Sequence, residues 1–244
     1  MSAGILAAMA KGPVTSTSAM LCVPGAIALL ERHASKLAGR TGVHLQLTDG
    51  KPCLPAHTIP SLVAKDGNFA PSRRDLRPLD PEQIRREWDA QMGVFMDLGL
   101  APTHVDTHQH VHKEPAIFEV FLDIARRFRI AARAMNPGQV ASLRSAGLPC
   151  VDYCQTNWYG NVTAESLIAC LSEAWRTVGP TGTVELMCHP GQIDADLPLR
   201  SRYVSQRQLE LDILCTADLT GNGVRLIGMS DLTGMPELKA SKRL

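Results

Sequence analysis

Short runs of β-branched and small apolar residues recur along nearly the whole chain, separated by longer stretches whose apolar residues fall three and four apart. That rhythm admits few folds, because strands alternating with helices pair in parallel and bury the sheet beneath the helices. Residues 4–11 fit a helix and Val14 to Leu21 a buried strand. Pro24 opens a second helix through Ile27, Leu29, Leu30 and Leu37 that should stop near Gly39, and residues 43–47 alternate as the next strand. Asp80 and Pro81 are a good helix start, with Ile84, Trp88, Phe95 and Leu98 at helical spacing up to Gly99. Thr103 to Asp106 reads as a strand, Pro115 as the start of a helix carrying Ile117, Phe118, Phe121, Leu122 and Ala125, and Ile130 to Arg133 as a further strand. After a looser stretch, the pattern predicts a helix over 163–177, a strand over 184–188, a helix over 205–217 and a last strand over 224–227.

The 244 residues fit one large α/β domain spanning 1–244, with the proline-rich stretch 48–79 as a long loop excursion of the sort that covers an active site. With 25 basic and 24 acidic residues there is no global field to recruit nucleic acid or an anionic membrane, and a small neutral substrate suits that balance. Seven cysteines without a paired C-x-x-C argue against a disulfide framework and point to a cytoplasmic protein with reduced thiols. The apolar opening to Met9 is too short for a membrane span and lacks the basic start of a signal peptide.

The chemistry concentrates in Thr103-His104-Val105-Asp106-Thr107-His108-Gln109-His110-Val111-His112. On an extended strand these histidines and Asp106 would share one side at steps of about 6.6 Å, so a single ion could not reach them all. One or two histidines, with a ligand from another strand end, could hold a divalent metal while Asp106 or another histidine orients them. Burying four histidines and an aspartate together without an ion would leave polar groups unsatisfied or in mutual repulsion. His44, alone on an apolar strand, is the candidate second ligand, although a single such histidine can equally be a satisfied core residue. His189 is delivered by the 184–188 strand into a Pro-Gly turn, where it could serve as a general acid or simply cap the turn. Arg133, Trp158 and Tyr159 offer a cation and aromatic faces for a sugar ring, or else an internal ion pair and core packing.

These motifs, with Val14-Thr15-Ser16-Thr17, Val43-His44-Leu45-Gln46-Leu47-Thr48, Trp158-Tyr159-Gly160, Glu185-Leu186-Met187-Cys188-His189-Pro190 and Leu209 to Leu214 in the same order, make the chain resemble the YdjC-like carbohydrate deacetylases. That family includes chitooligosaccharide deacetylases and a branch associated with hopanoid biosynthesis. The resemblance implies a TIM-barrel-like (β/α) barrel and removal of an N-acetyl group from a small carbohydrate with a divalent ion, Mg2+ or Zn2+. It implies His44 and His108 as metal ligands and His189 as an active-site histidine, with Asp106 and His110 in support. Arg133, Trp158 and Tyr159 are the expected substrate contacts, and a homodimer is kept open as the assembly.

Family members open with a strand ending in Ala-Asp-Asp-Phe-Gly, whose acidic pair supplies a metal ligand and the general base. This chain has no such segment and begins in the helix expected to follow it, so the first barrel strand is expected to be missing. Metal affinity and water activation would both fall without that pair. Two other readings fit the same residues: another barrel metallohydrolase, either an amidohydrolase or a phosphoesterase, and an inactive relative that only binds sugar.

Overall fold

A computed structural model describes residues 2–192, 203–220 and 224–234. Helix α1 (Ser2–Lys11) leads into strand β1 (Thr17–Ala19), helix α2 (Ala26–Leu37) and strand β2 (Thr41–Leu45). Helix α3 (Pro81–Asp97), strand β3 (His104–Thr107), helix α4 (Pro115–Phe128) and strand β4 (Ala131–Ala132) complete the first half. Helix α5 (Pro137–Ser145), strand β5 (Tyr153–Gln155), helix α6 (Ala164–Val178), strand β6 (Val184–Leu186) and helix α7 (Ser205–Thr216) follow. Strands β1 to β4 form one parallel sheet in sequence order, and β5 and β6 form a second parallel pair. The α/β architecture with parallel strands therefore stands, and no ladder joins the two sheets among the described residues.

Local chemistry sets several boundaries. The Asp80 side chain accepts from the Glu82 amide and Pro81 occupies the first turn of α3, whose Ile84, Trp88, Met92 and Phe95 are buried against the sheet. On α4, Ile117, Phe118, Phe121, Ile124 and Ala125 make the facing stripe. Within β2, Gly42 has no substitute: a Cβ there would lie 2.3 Å from the His104 carbonyl oxygen and 2.6 Å from His104 Nδ1 on the adjacent strand.

Four expectations are corrected. The Val14 to Leu21 run is helical nowhere but pairs only over Thr17–Ala19. Residues 224–227 make no ladder, so the expected last strand is not formed. The stretch after β4 is not loose: Asn136 caps α5, with Pro137 in its first turn. The histidine run does not continue as a strand, because β3 ends at Thr107 and residues His108–Lys113 coil into a tight turn in which Gln109 and His110 take φ of +53° and +52°.

The 48–79 excursion is anchored rather than free. Thr48 bridges Ala70, Val63 bridges Phe69, and Ile59, Leu62 and Phe69 are buried in the main core. Its far end reaches the histidine turn, where the Arg73 amide donates to Gln109 Oε1 at 2.7 Å and Gln109 Nε2 to the Pro71 carbonyl at 3.3 Å. No helix among the described residues is long and apolar enough to cross a membrane.

Candidate active site

Parallel register brings the first two site residues together. His44 on β2 stands opposite Asp106 on β3, and His44 Nδ1 lies 2.8 Å from Asp106 Oδ1. An ionised carboxylate only accepts, so Nδ1 carries the proton and the Nε2 lone pair remains for a ligand. Ser18 on β1 donates to Asp106 Oδ2 at 3.1 Å, and Arg133, just past β4, reaches the same oxygen at 2.6 Å through Nη1. Burial alone would raise the Asp106 carboxyl, but the adjacent Arg133 guanidinium and His44 imidazole outweigh it and hold the group well below the usual carboxylate range.

His108 opens the turn that follows β3, and its ring faces that of His44 edge-on at 5.5 Å between centroids. Burial, with His44 beside it, pushes the His108 imidazole down to about 3, so it is neutral at pH 7 as a ligand must be. Among the described residues no third imidazole, thiol or carboxylate completes a three-ligand set with His44 and His108. His110 and His112 are pushed down to about 4 and about 3 by burial, next to Arg133 and His110 respectively. They do not converge on the pair: His112 is held by Thr107 Oγ1 at 2.5 Å and stacks on Phe121 at 4.6 Å, while His110 Nδ1 is buried without a partner. His104 lies beneath the site, buried, with Thr103 Oγ1 at 2.9 Å from Nδ1.

His189 emerges from β6 on the other wall of one large cleft, about 2990 Å³, that also takes in His44, Asp106, His108, His110 and Tyr159. Glu210 of α7 accepts from the His189 amide and from the Tyr203 hydroxyl, and Arg207 donates to the His189 carbonyl at 3.3 Å. The ring is left with an unpartnered buried Nδ1, and burial together with Arg207 pushes its imidazole down to about 3. Tyr159 is 51% exposed, stacks on Tyr203 at 4.2 Å and meets His189 edge-on at 5.4 Å, so one face of its ring is backed and the other open.

Two of the three expected sugar contacts are placed elsewhere. Trp158 is fully buried against Leu167, Cys170 and Leu171, with its indole N–H donating to the Thr163 carbonyl, so it packs the core. Arg133 is spent internally: besides Asp106 it chelates Glu185 of β6, with Nε 3.0 Å from both carboxylate oxygens and Nη2 2.5 Å from one. Sequence reasoning missed Ser18, Glu185 and Glu210. Glu185 had a visible signal, a lone carboxylate in an apolar strand, whereas a serine among serines and threonines gave none.

A strand-end imidazole cluster on parallel strands defines a class of site in which imidazole nitrogens and a buried orienting carboxylate face an open cleft. The comparisons narrow that class. The family model described as YdjC-like protein matches residues 1–221. A carbohydrate deacetylase of Geobacillus stearothermophilus is 36% identical over 92% of this chain and 89% of its own length, and one of Vibrio vulnificus is 34% identical over 88% and 82%. A solved structure from Enterococcus faecalis V583, described as a cellobiose-phosphate cleavage protein, superposes with a TM-score of 0.77 at 32% identity, covering 88% of this chain and 84% of that one. The chain belongs to the YdjC-like family.

Proposed function

We propose that this protein is a metal-dependent hydrolase that removes an N-acetyl group from a small carbohydrate, with His44 and His108 holding a divalent ion, Mg2+ or Zn2+. The observation that carries the reading is the Asp106 contact at 2.8 Å, which commits His44 Nδ1 and leaves Nε2 beside the neutral imidazole of His108. This donor set fits a divalent ion, and a bound ion supplies Lewis acidity toward the amide carbonyl. The curated relatives named above are carbohydrate deacetylases, which supports the reaction class.

His189 is the proton carrier. Because its imidazole is neutral at pH 7, it must take up a proton as water attacks the acetamide before it can pass one to the departing amine. The exposed face of Tyr159, 5.4 Å from the His189 ring, is the surface on which the sugar ring would lie. Arg133 acts at one remove, by keeping Asp106 ionised and thereby His44 oriented.

The two sheets are read as arcs of a β/α barrel, with β1 partnered on one side only among the described residues. The cleft runs along that free edge, lined by Thr17, Ser18 and Ala19. A parallel strand laid there would deliver its last residues to the rim that carries His44 and His108, the place for an acidic pair serving as third ligand and base.

The test is incubation with N-acetylated chitooligosaccharides and, separately, with phosphoesters, each with and without added Mg2+ or Zn2+. Metal-dependent acetate release is the expected result. Phosphate release instead would move the protein to the phosphoesterases, and metal binding without any product would make it a sugar-binding relative.

A further inference from the structure

Two loops at the rim of the cleft carry a pair of thiols that the proposed hydrolysis does not use. Cys22 lies in the turn after β1 and Cys53 near the start of the 48–79 excursion, 31 residues later. Their sulfurs are 2.8 Å apart. Both side chains are partly exposed, and Cys22 lines the cleft, so small molecules can reach the pair.

The surroundings decide what the pair can do. Glu87 of α3, itself fully buried, accepts from the amides of Cys53 at 2.8 Å and Leu54 at 3.0 Å and from Gln91 Nε2 at 2.8 Å. Those bonds fix the backbone around Cys53 in place against α3 and engage both carboxylate oxygens, Oε1 twice and Oε2 once. A metal centre of Cys22, Cys53 and Glu87 is disfavoured by the sulfurs, which already stand closer than the roughly 3.8 Å that two thiolates adopt on a tetrahedral zinc.

We propose that Cys22 and Cys53 are a redox-modification site, which a low-molecular-weight disulfide such as oxidised glutathione converts to an intramolecular disulfide stapling the β1 rim to the 48–79 excursion. One cysteine thiolate attacks the small disulfide, forming a mixed disulfide and expelling one small thiolate. The second cysteine thiolate then attacks the protein sulfur of that mixed disulfide and expels the other. Two protein S–H bonds are lost, one S–S bond forms, and the two protons leave on two molecules of the small thiol. The oxidant is reduced by the two electrons the cysteines give up.

The staple matters because the excursion it closes is the one that holds the histidine turn. Its far end bonds Gln109 through Pro71 and Arg73, between His108 and His110, so tethering the near end restrains the whole cover of the cleft.

The experiment is incubation of the full chain with reduced or oxidised glutathione, followed by denaturing alkylation and peptide mapping by mass spectrometry, with limited proteolysis in parallel. Oxidation is expected to remove two of the seven alkylatable thiols, to yield a Cys22 to Cys53 cross-linked peptide, and to slow cleavage within residues 54–79 on the order of tenfold. Cys53→Ser should abolish the cross-link and the protection, while Cys215→Ser should retain both. Independent alkylation of Cys22 and Cys53 after oxidation, stable glutathione adducts on each, or a zinc ion that protects both thiols would overturn the proposal.

Discussion

Replacing Arg133 with methionine tests whether the buried charge network is what keeps the site in order. In the native fold Arg133, 7% exposed, places its guanidinium between Asp106 and Glu185, and those two carboxylates hold it well above its ordinary value against the pull of burial. Methionine keeps most of the volume and leaves two buried carboxylates facing each other without a cation. Breaking a buried pair from one side costs about 3 to 5 kcal/mol, and two stranded acids place this variant at the upper end. The pH dependence gives a sharper reading than the loss itself. In the native protein the Asp106 carboxyl is depressed, so its contribution is complete above the unfolded value of about 3.9 and is lost only as pH falls through the folded value. In Arg133→Met, desolvation is no longer outweighed by the guanidinium and the carboxyl rises, so the variant should be penalised most at high pH and recover as the acids protonate. Urea denaturation followed by far-UV circular dichroism at pH 5, 6, 7 and 8 reads both effects. A deficit below about 1 kcal/mol, or one that does not shrink toward pH 5, would refute the reasoning.

His108→Ala is expected to abolish retention of a divalent ion by the protein after dialysis, read by elemental analysis, and undiminished metal content would remove His108 from the proposed ligand set. The wild-type fold should weaken in mild acid: His108, His112 and His189 are neutral to about pH 3 when folded but titrate near 6.5 when unfolded, so each favours unfolding on the order of 2 kcal/mol between pH 6.5 and pH 5. A urea midpoint unchanged between pH 7.5 and pH 5.5 would count against their burial. Asp80→Ala should cost about 1 kcal/mol through loss of the α3 cap, measured in the same unfolding assay, with no change in the site. Tyr159→Ala should raise KM for an acetylated sugar by about tenfold with a smaller effect on kcat, and an unchanged KM would place the sugar elsewhere.

What could be read from the sequence follows from how locally each feature is determined. The start of α3 was legible because its cap, its proline and its apolar stripe all lie within a few residues. The same signal, Asn136 followed by Pro137, was present for α5 and passed over because the helix is short and only Gln139 and Leu143 of its residues are buried. His44 and His108, the proposed ligand pair, stood out as residue types, but the geometry around them did not: the even spacing of the histidines suggested one strand face, and the left-handed backbone at Gln109 and His110 carries no glycine to announce the turn. Arg133 could not be assigned from its own neighbourhood, since Glu185 lies 52 residues further on. Trp158 and Tyr159 are adjacent and chemically similar, and only the path of the chain sends the indole into the core and the phenol into the cleft.

Asp106 touches Ser18, His44 and Arg133, residues that reach it from three other strands or strand ends. Its neighbours therefore assemble only when segments separated by as many as 88 residues have found their places. A folding intermediate with β2 formed and β3 still loose would leave His44 Nδ1 without its carboxylate partner, with the proton free to sit on either ring nitrogen. The tautomer on which the proposed ligation depends is in this sense a property of the finished sheet, and nitrogen-15 chemical shifts of His44 would report the completion of folding from inside the site.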